Sequence, residues 1–166
     1  MEYTLRRLLL AVLLIFMWGT ASAADITVDV KSFGIFRVDN LKLEKRADQT
    51  GGVVVTSANT VFEKQTDRIP ARTGTAFGPT FVVRAPGQTS VRLRSVTRYP
   101  SPGLTNPVTK VTGMRDETVL TFTVGEVSQD LFHFTYDWEL VPGVWVWQLW
   151  DGEKKVAEKS FVVVRP

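Results

Sequence analysis

Cysteine is absent from the whole chain, and that absence removes a disulfide framework, a thiolate metal site and a thiol nucleophile together. Lipid attachment at a cysteine behind a leader is excluded with them. Histidine is nearly absent: His133 stands alone. A zinc site needs three or four His, Cys or carboxylate ligands, and a His-dependent nucleophile needs an activated Ser or Thr that nothing in the sequence marks. No Walker or dinucleotide phosphate loop is present, so no cofactor is expected. Neither low-complexity tracts nor fixed-period repeats occur, which argues against disordered tails and solenoids. Charge of one sign is not in excess either. The 20 Lys+Arg against 17 Asp+Glu are too small a surplus to imply nucleic acid as a partner.

What is present begins with a three-part pattern. Arg6 and Arg7 precede the apolar run Leu8 to Trp18, which gives way to Ala21, Ser22, Ala23 and Ala24. A charged start, a short apolar middle and a small-residue end read as a secretory signal peptide, cut after Ala23 or one residue later. The run of about eleven residues is short of the roughly 20 that a membrane-spanning helix needs. Residues 1–23 are therefore expected to be a leader and 24–166 a single domain, released into the periplasm as a soluble protein and not an integral membrane protein.

The remainder reads as short β segments punctuated by Gly, Pro, Asn and Asp. Ile26, Val28 and Val30 alternate with polar residues, and a second strand is expected around Arg37 to Glu44. Val53 to Val55 and Thr60 to Glu63 are short candidates, and Ile69 to Gly74 reads as a loop. Thr80 to Ala85 and Ser90 to Arg98 read as two strands of a hairpin joined by Ala85-Pro86-Gly87-Gln88. Tyr99 to Pro107 carries three prolines and is expected as a surface loop. Leu120, Phe122 and Val124 alternate in one strand, and Phe132, Phe134, Tyr136 and Trp138 in another. Pro142-Gly143 then leads into a row of Trp145, Trp147 and Leu149. Asp151-Gly152 signals a hairpin into the last strand, Lys155 to Val164. There Lys159 breaks the apolar row, and a β-bulge around Glu158 to Ser160 would repair it. About eight strands without an amphipathic helix predict an all-β, antiparallel, immunoglobulin-like sandwich with Trp145 or Trp147 plugging its centre.

Four residues form the candidate binding surface. Arg92, Arg94 and Arg98 alternate with Leu93, Ser95 and Thr97, so they share one face of their strand as a row of cations suited to an anionic glycan, a lipid headgroup or an acidic envelope protein. Arg84 is a candidate neighbour. Parity places Trp150 with Val144 and Val146 opposite the core row, as a sugar-stacking platform or a surface covered by residues 39–67 or a partner. His133 is expected on a solvated face beside Thr135 and Asp137. Asp137 and Glu139, two apart, read as solvated charges, although paired carboxylates also serve glycoside hydrolysis. Gly74 to Gly78 calls for a backbone explanation: positive φ or close approach of two strands.

The stretch Glu139-Leu140-Val141-Pro142-Gly143-Val144-Trp145-Val146-Trp147-Gln148-Leu149-Trp150-Asp151-Gly152, followed by Val156 to Phe161, resembles the end of domain-of-unknown-function family 3859, a bacterial family of exported proteins. Gly74-Thr75-Ala76-Phe77-Gly78 resembles that family's Gly-Thr-x-Phe-Gly motif. Tyr99-Pro100 with Asn106-Pro107, and Phe33-Gly34-Ile35-Phe36, are similar to its mid-chain loop and its opening. The resemblance implies one β-sandwich in a Gram-negative periplasm and carries no activity with it. The expected function is a non-enzymatic binding or accessory domain. A carbohydrate-binding module, or a hydrolase with an unmarked carboxylate site, are the alternatives.

Overall fold

The computed structural model describes residues 25–55 and 59–166; the leader assigned above lies outside them. Fourteen strand segments follow in chain order: β1 (Thr27–Asp39), β2 (Leu43–Lys45), β3 (Val53–Val55), β4 (Asn59–Gln65), β5 (Arg68–Pro70), β6 (Ala76–Arg84), β7 (Ser90–Arg98), β8 (Leu104–Thr105), β9 (Thr112–Gly113), β10 (Arg115–Thr123), β11 (Val127–Gln129), β12 (Phe132–His133), β13 (Gly143–Asp151) and β14 (Lys154–Val164). The one helical element among the described residues is a 3-10 turn, Asp137–Glu139. Two sheets form the sandwich: β11-β6-β1-β4, with β12 also on β6, and β10-β7-β13-β14-β5. The all-β, immunoglobulin-like sandwich is as expected. The count of eight is low because the chain breaks its edges into two- and three-residue pieces.

Parity explains the core. Trp145, Trp147 and Leu149 are at most 5% exposed and face Phe77, Phe81 and Val83 of β6 across the sandwich. Trp145 sits among Phe77, Phe132, Phe134 and Tyr99, with ring centroids 4.8 to 5.9 Å away, and its indole N–H donates to the Val141 carbonyl at 2.9 Å. In β1 a register shift between Val30 and Ser32 turns the inward face from Ile26, Val28 and Val30 to Phe33 and Ile35. A single extra residue flips every later side chain. The first strand runs on for thirteen residues to Asp39, and the second one expected, Arg37 to Glu44, is divided between its end and β2.

Several expectations change. The Pro86-Gly87 turn is a corner between sheets, not a hairpin: β6 and β7 lie in different layers, and Gly87 with φ +78° closes the turn through Gln88 N–H to the Ala85 carbonyl. The bulge in β14 falls at Val156, since Leu149 pairs with Ala157 and Trp150 with Lys155. Lys159 is accommodated differently, its ammonium lying 3.7 Å from the Phe33 ring centroid. Arg68–Pro70, which overlaps the start of the loop expected from Ile69 to Gly74, pairs in parallel with the end of β14. The proline-rich Tyr99 to Pro107 is not purely a surface loop, because Leu104 and Asn106 are buried within it. Phe132 to Trp138 forms a ladder only at its first two residues. The Glu139 carboxylate accepts the Thr135 and Tyr136 backbone N–H groups at 2.6 and 2.9 Å, taking both donors away from a strand partner.

Candidate functional site

The inner faces of β7 and β10 change character along their length. At one end they are apolar, with Val91 and Leu93 facing Phe122 and Leu120; at the other they carry Ser95, Thr97, Asp116 and Thr118, with Ser95 opposite Thr118 and Thr97 opposite Asp116. Polar residues pointing between two sheets prevent the layers from closing. A cleft of about 350 Å³ opens there, floored by Leu104, Leu120, Leu131 and Phe132.

The far wall runs from β11 to the 3-10 turn. Gly78 of β6 lets the Asp130 carbonyl approach so closely that a Cβ would lie 2.2 Å from it. This is one half of the backbone reason expected for the Gly74 to Gly78 motif; Gly74, at φ +87°, supplies the other. Asp130 then sits beneath the cleft, accepting from Ser95 Oγ and from the Trp147 indole N–H at 2.7 Å. The β2–β3 hairpin folds over the mouth. Its turn residue Thr50 donates from its backbone N–H and hydroxyl to Asp116 at 2.9 and 2.5 Å, Gln49 reaches Thr118 Oγ1 at 3.0 Å, and Asn106 donates to the Thr50 carbonyl. Of the stretch from residue 39 to 67, the β2–β3 hairpin covers the cleft and not the Trp150 face, while β4 extends the sheet of β1.

Electrostatically the cleft is acidic. Glu44, Asp116, Asp130 and Glu139 line it with one cation, Arg46, and that guanidinium is held in a two-pronged pair by Asp48 at 2.8 and 2.6 Å. Burial pushes the Asp130 and Glu139 carboxyls above their ordinary values, in Glu139 against its two backbone N–H bonds and with Asp116 adding repulsion. Burial also raises the Tyr99 phenol well above its usual value, with Asp116 contributing. The Tyr99 hydroxyl, on a residue 6% exposed, is enclosed beside the Asp116 carboxylate and makes no hydrogen bond of ordinary geometry among the described residues.

His133 is not on a solvated face. It is half-buried on the cleft wall, its Nδ1 lies 3.2 Å from Thr135 Oγ1, and burial lowers its pKa. Asp137 and Glu139 are not brought together: Asp137 points out to Thr73 Oγ1 at 2.6 Å, whereas Glu139, only 4% exposed, points into the cleft. Expecting both as solvated charges missed the turn between them. Among the described residues no cluster of three metal-ligating groups occurs.

Arg92, Arg94 and Arg98 do share the outer face of β7, and Trp150 lies beside Arg94 on β13. Arg94 pairs with Glu117 at 3.0 Å and its guanidinium stands 5.4 Å over the half-buried Trp150 ring, whose N–H donates to Gln148. Arg98 acts on Glu158 as one of the charges lowering its pKa, after Lys155 and Gln148. Arg84 belongs to the other sheet, near Asp29. Of the cleft residues the sequence singled out only His133, Thr135 and Glu139; the inward run of Ser95, Thr97, Asp116 and Thr118 was the available signal for the others.

A family model described as Domain of unknown function (DUF3859) matches residues 24–163. Among solved structures, an immunoglobulin-like protein from Pseudomonas aeruginosa superposes with a TM-score of 0.60 at 22% identity, covering 86% of this chain and 99% of that one. None of the curated proteins matches.

Proposed function

The chain belongs to the DUF3859 family, a domain of unknown function, and on that premise we propose that it is a non-enzymatic binding domain of the bacterial periplasm whose ligand enters the cleft under the β2–β3 hairpin. One observation carries the reading: a cleft of about 350 Å³, in the range of small-molecule sites, contains a buried and unpartnered Tyr99 hydroxyl. A buried hydroxyl without a partner costs roughly 1 to 3 kcal/mol, and a ligand that hydrogen-bonds to it offsets that cost. Export is supported by the leader pattern of residues 1–24 and by a family match that starts at residue 24. No helix among the described residues is long and apolar enough to cross a membrane.

Two measurements test this. Mass spectrometry of the protein from a periplasmic fraction should give a chain starting at Ala24 or Asp25; an intact Met1 start would refute export. A fragment screen by NMR should shift the methyl resonances of Leu104, Leu120 and Leu131, which floor the cleft. Hits that leave those methyls untouched would move the binding site elsewhere. The outer face is a second reading, as a contact for an envelope protein or an anionic glycan or headgroup. It is favoured by Arg92, Arg94, Arg98 and Trp150 lying together beside the exposed Val119 and Val144.

A further inference from the structure

We infer that the ligand of this cleft is a small organic cation, a protonated amine seated between the Tyr99 hydroxyl and the carboxylates of Asp116 and Glu139, in a cleft that Asp130 also lines. The inference rests on the reading of the cleft as the binding site and adds the ligand's charge and its contacts.

Three independent features converge. The first is the Tyr99 hydroxyl, enclosed and unpartnered. Its oxygen is an acceptor that an N–H can reach, and its own proton stays in place because burial raises the phenol pKa. The second is a charge imbalance. Four carboxylates line the cleft, the guanidinium of Arg46 is directed to Asp48, burial keeps His133 on the neutral side, and among the described residues no lysine lines the cavity. Buried carboxylates without a counter-charge are unfavourable, and a cation entering the cleft supplies one.

The third feature is unused acceptor capacity. Both donors to Asp130 meet Oδ2, and both donors to Glu139 meet Oε2. Asp130 Oδ1 and Glu139 Oε1 receive no donor from the described residues, although a carboxylate has about four lone-pair sites. Glu139 Oε1 faces the hairpin over the mouth, 3.2 Å from where a Cβ of Gly51 would stand. The rings of Tyr99 and Phe132, with centroids 6.1 Å apart edge to face, add π surface that favours a cation.

Other ligand classes fit less well. An anion would be repelled by the same carboxylates, and a neutral sugar would leave them without a counter-charge. A divalent metal needs oxygen ligands converging on one point, and no such group occurs among the described residues.

The experiment uses the purified protein at low ionic strength with three probes of similar length: putrescine, 1,4-butanediol and succinate. Calorimetry reads affinity, and the methyl resonances of Leu104, Leu120 and Leu131 report where each probe sits. Putrescine should bind at a single saturable site and shift those methyls, whereas the diol and the diacid should do neither. Tyr99→Phe removes one oxygen that has no partner in the free protein, so its melting temperature should be unchanged or higher. Its putrescine affinity should nevertheless fall about tenfold, as loss of a hydrogen bond to a charged group does. Glu139→Gln should weaken binding in the same direction, while Glu117→Gln on the outer face should not.

Equal binding of putrescine by wild type and Tyr99→Phe overturns the inference, as does a preference for the diol or the diacid. Those two probes shifting the cleft methyls would leave the cleft standing as a binding site for another ligand class. If no probe or fragment moves those methyls, both readings fail.

Discussion

Replacing Trp145 by alanine tests the sandwich at its centre. The residue is 1% exposed, and a side chain of its kind buries roughly 200 Å², which at about 25 cal/mol per Å² gives an upper figure near 5 kcal/mol. Its four aromatic neighbours stand with centroids between 4.8 and 5.9 Å away. Truncation would leave those rings facing a void, and buried Trp-to-Ala changes generally cost about 3 to 5 kcal/mol. The bond to the Val141 carbonyl adds about 1 kcal/mol. A loss of about 4 to 5 kcal/mol follows, a large part of the 5 to 15 that stabilises a typical domain. Urea unfolding should show it as a midpoint lower by about 2 M at unchanged slope. Trp145→Phe, which keeps a ring and loses the N–H, should lose only about 1 to 2 kcal/mol. Val144→Ala, one residue away and 53% exposed on the opposite face, should stay within about 0.5 kcal/mol. A Trp145→Ala loss below about 1.5 kcal/mol, or equal to that of Val144→Ala, would refute the parity and the packing built on it.

Two further outcomes are expected. Burial raises the folded-state pKa of Asp130 above its unfolded value, so the stability associated with this group is complete at pH below about 4 and is lost as pH rises through the raised folded value. Asp130→Asn keeps an oxygen for Ser95 and Trp147 and cannot titrate. The melting temperature of wild type relative to this variant should therefore fall as pH rises above about 4, and a rise would reverse the assignment. On the outer face, replacing Arg92, Arg94 and Arg98 by Ser removes the half-exposed pair with Glu117 and the stacking on Trp150. The loss should be no more than about 1 to 2 kcal/mol. Retention on anionic vesicles should weaken at low salt and converge with wild type at high salt; identical retention at low salt would return the row to an ordinary solvated face.

The alternation of Trp145, Trp147 and Leu149, and of Arg92 and Arg94 against Val91 and Leu93, was legible because a strand's side chains alternate by covalent geometry alone. The residues themselves therefore determined the β class, the inward tryptophans and the shared face of the arginines. The same local rule misread the Pro86-Gly87 corner, since a tight turn looks alike whether its strands pair or cross to opposite sheets. It also carried Phe132 to Trp138 on as a strand, because the capture of two backbone N–H groups by Glu139 depends on where that carboxylate arrives in space. The cleft belongs to this second kind of information. Ser95 faces Thr118 and Thr97 faces Asp116 only once β7 and β10 pair, and the acidic wall forms only when Gly78 admits the Asp130 backbone and Thr50 ties the hairpin to Asp116. Alternation is decided by neighbouring bonds, whereas a site assembled from residues 44 to 139 is decided by long-range packing, which alone sets which polar groups are enclosed together and which of them lacks a partner.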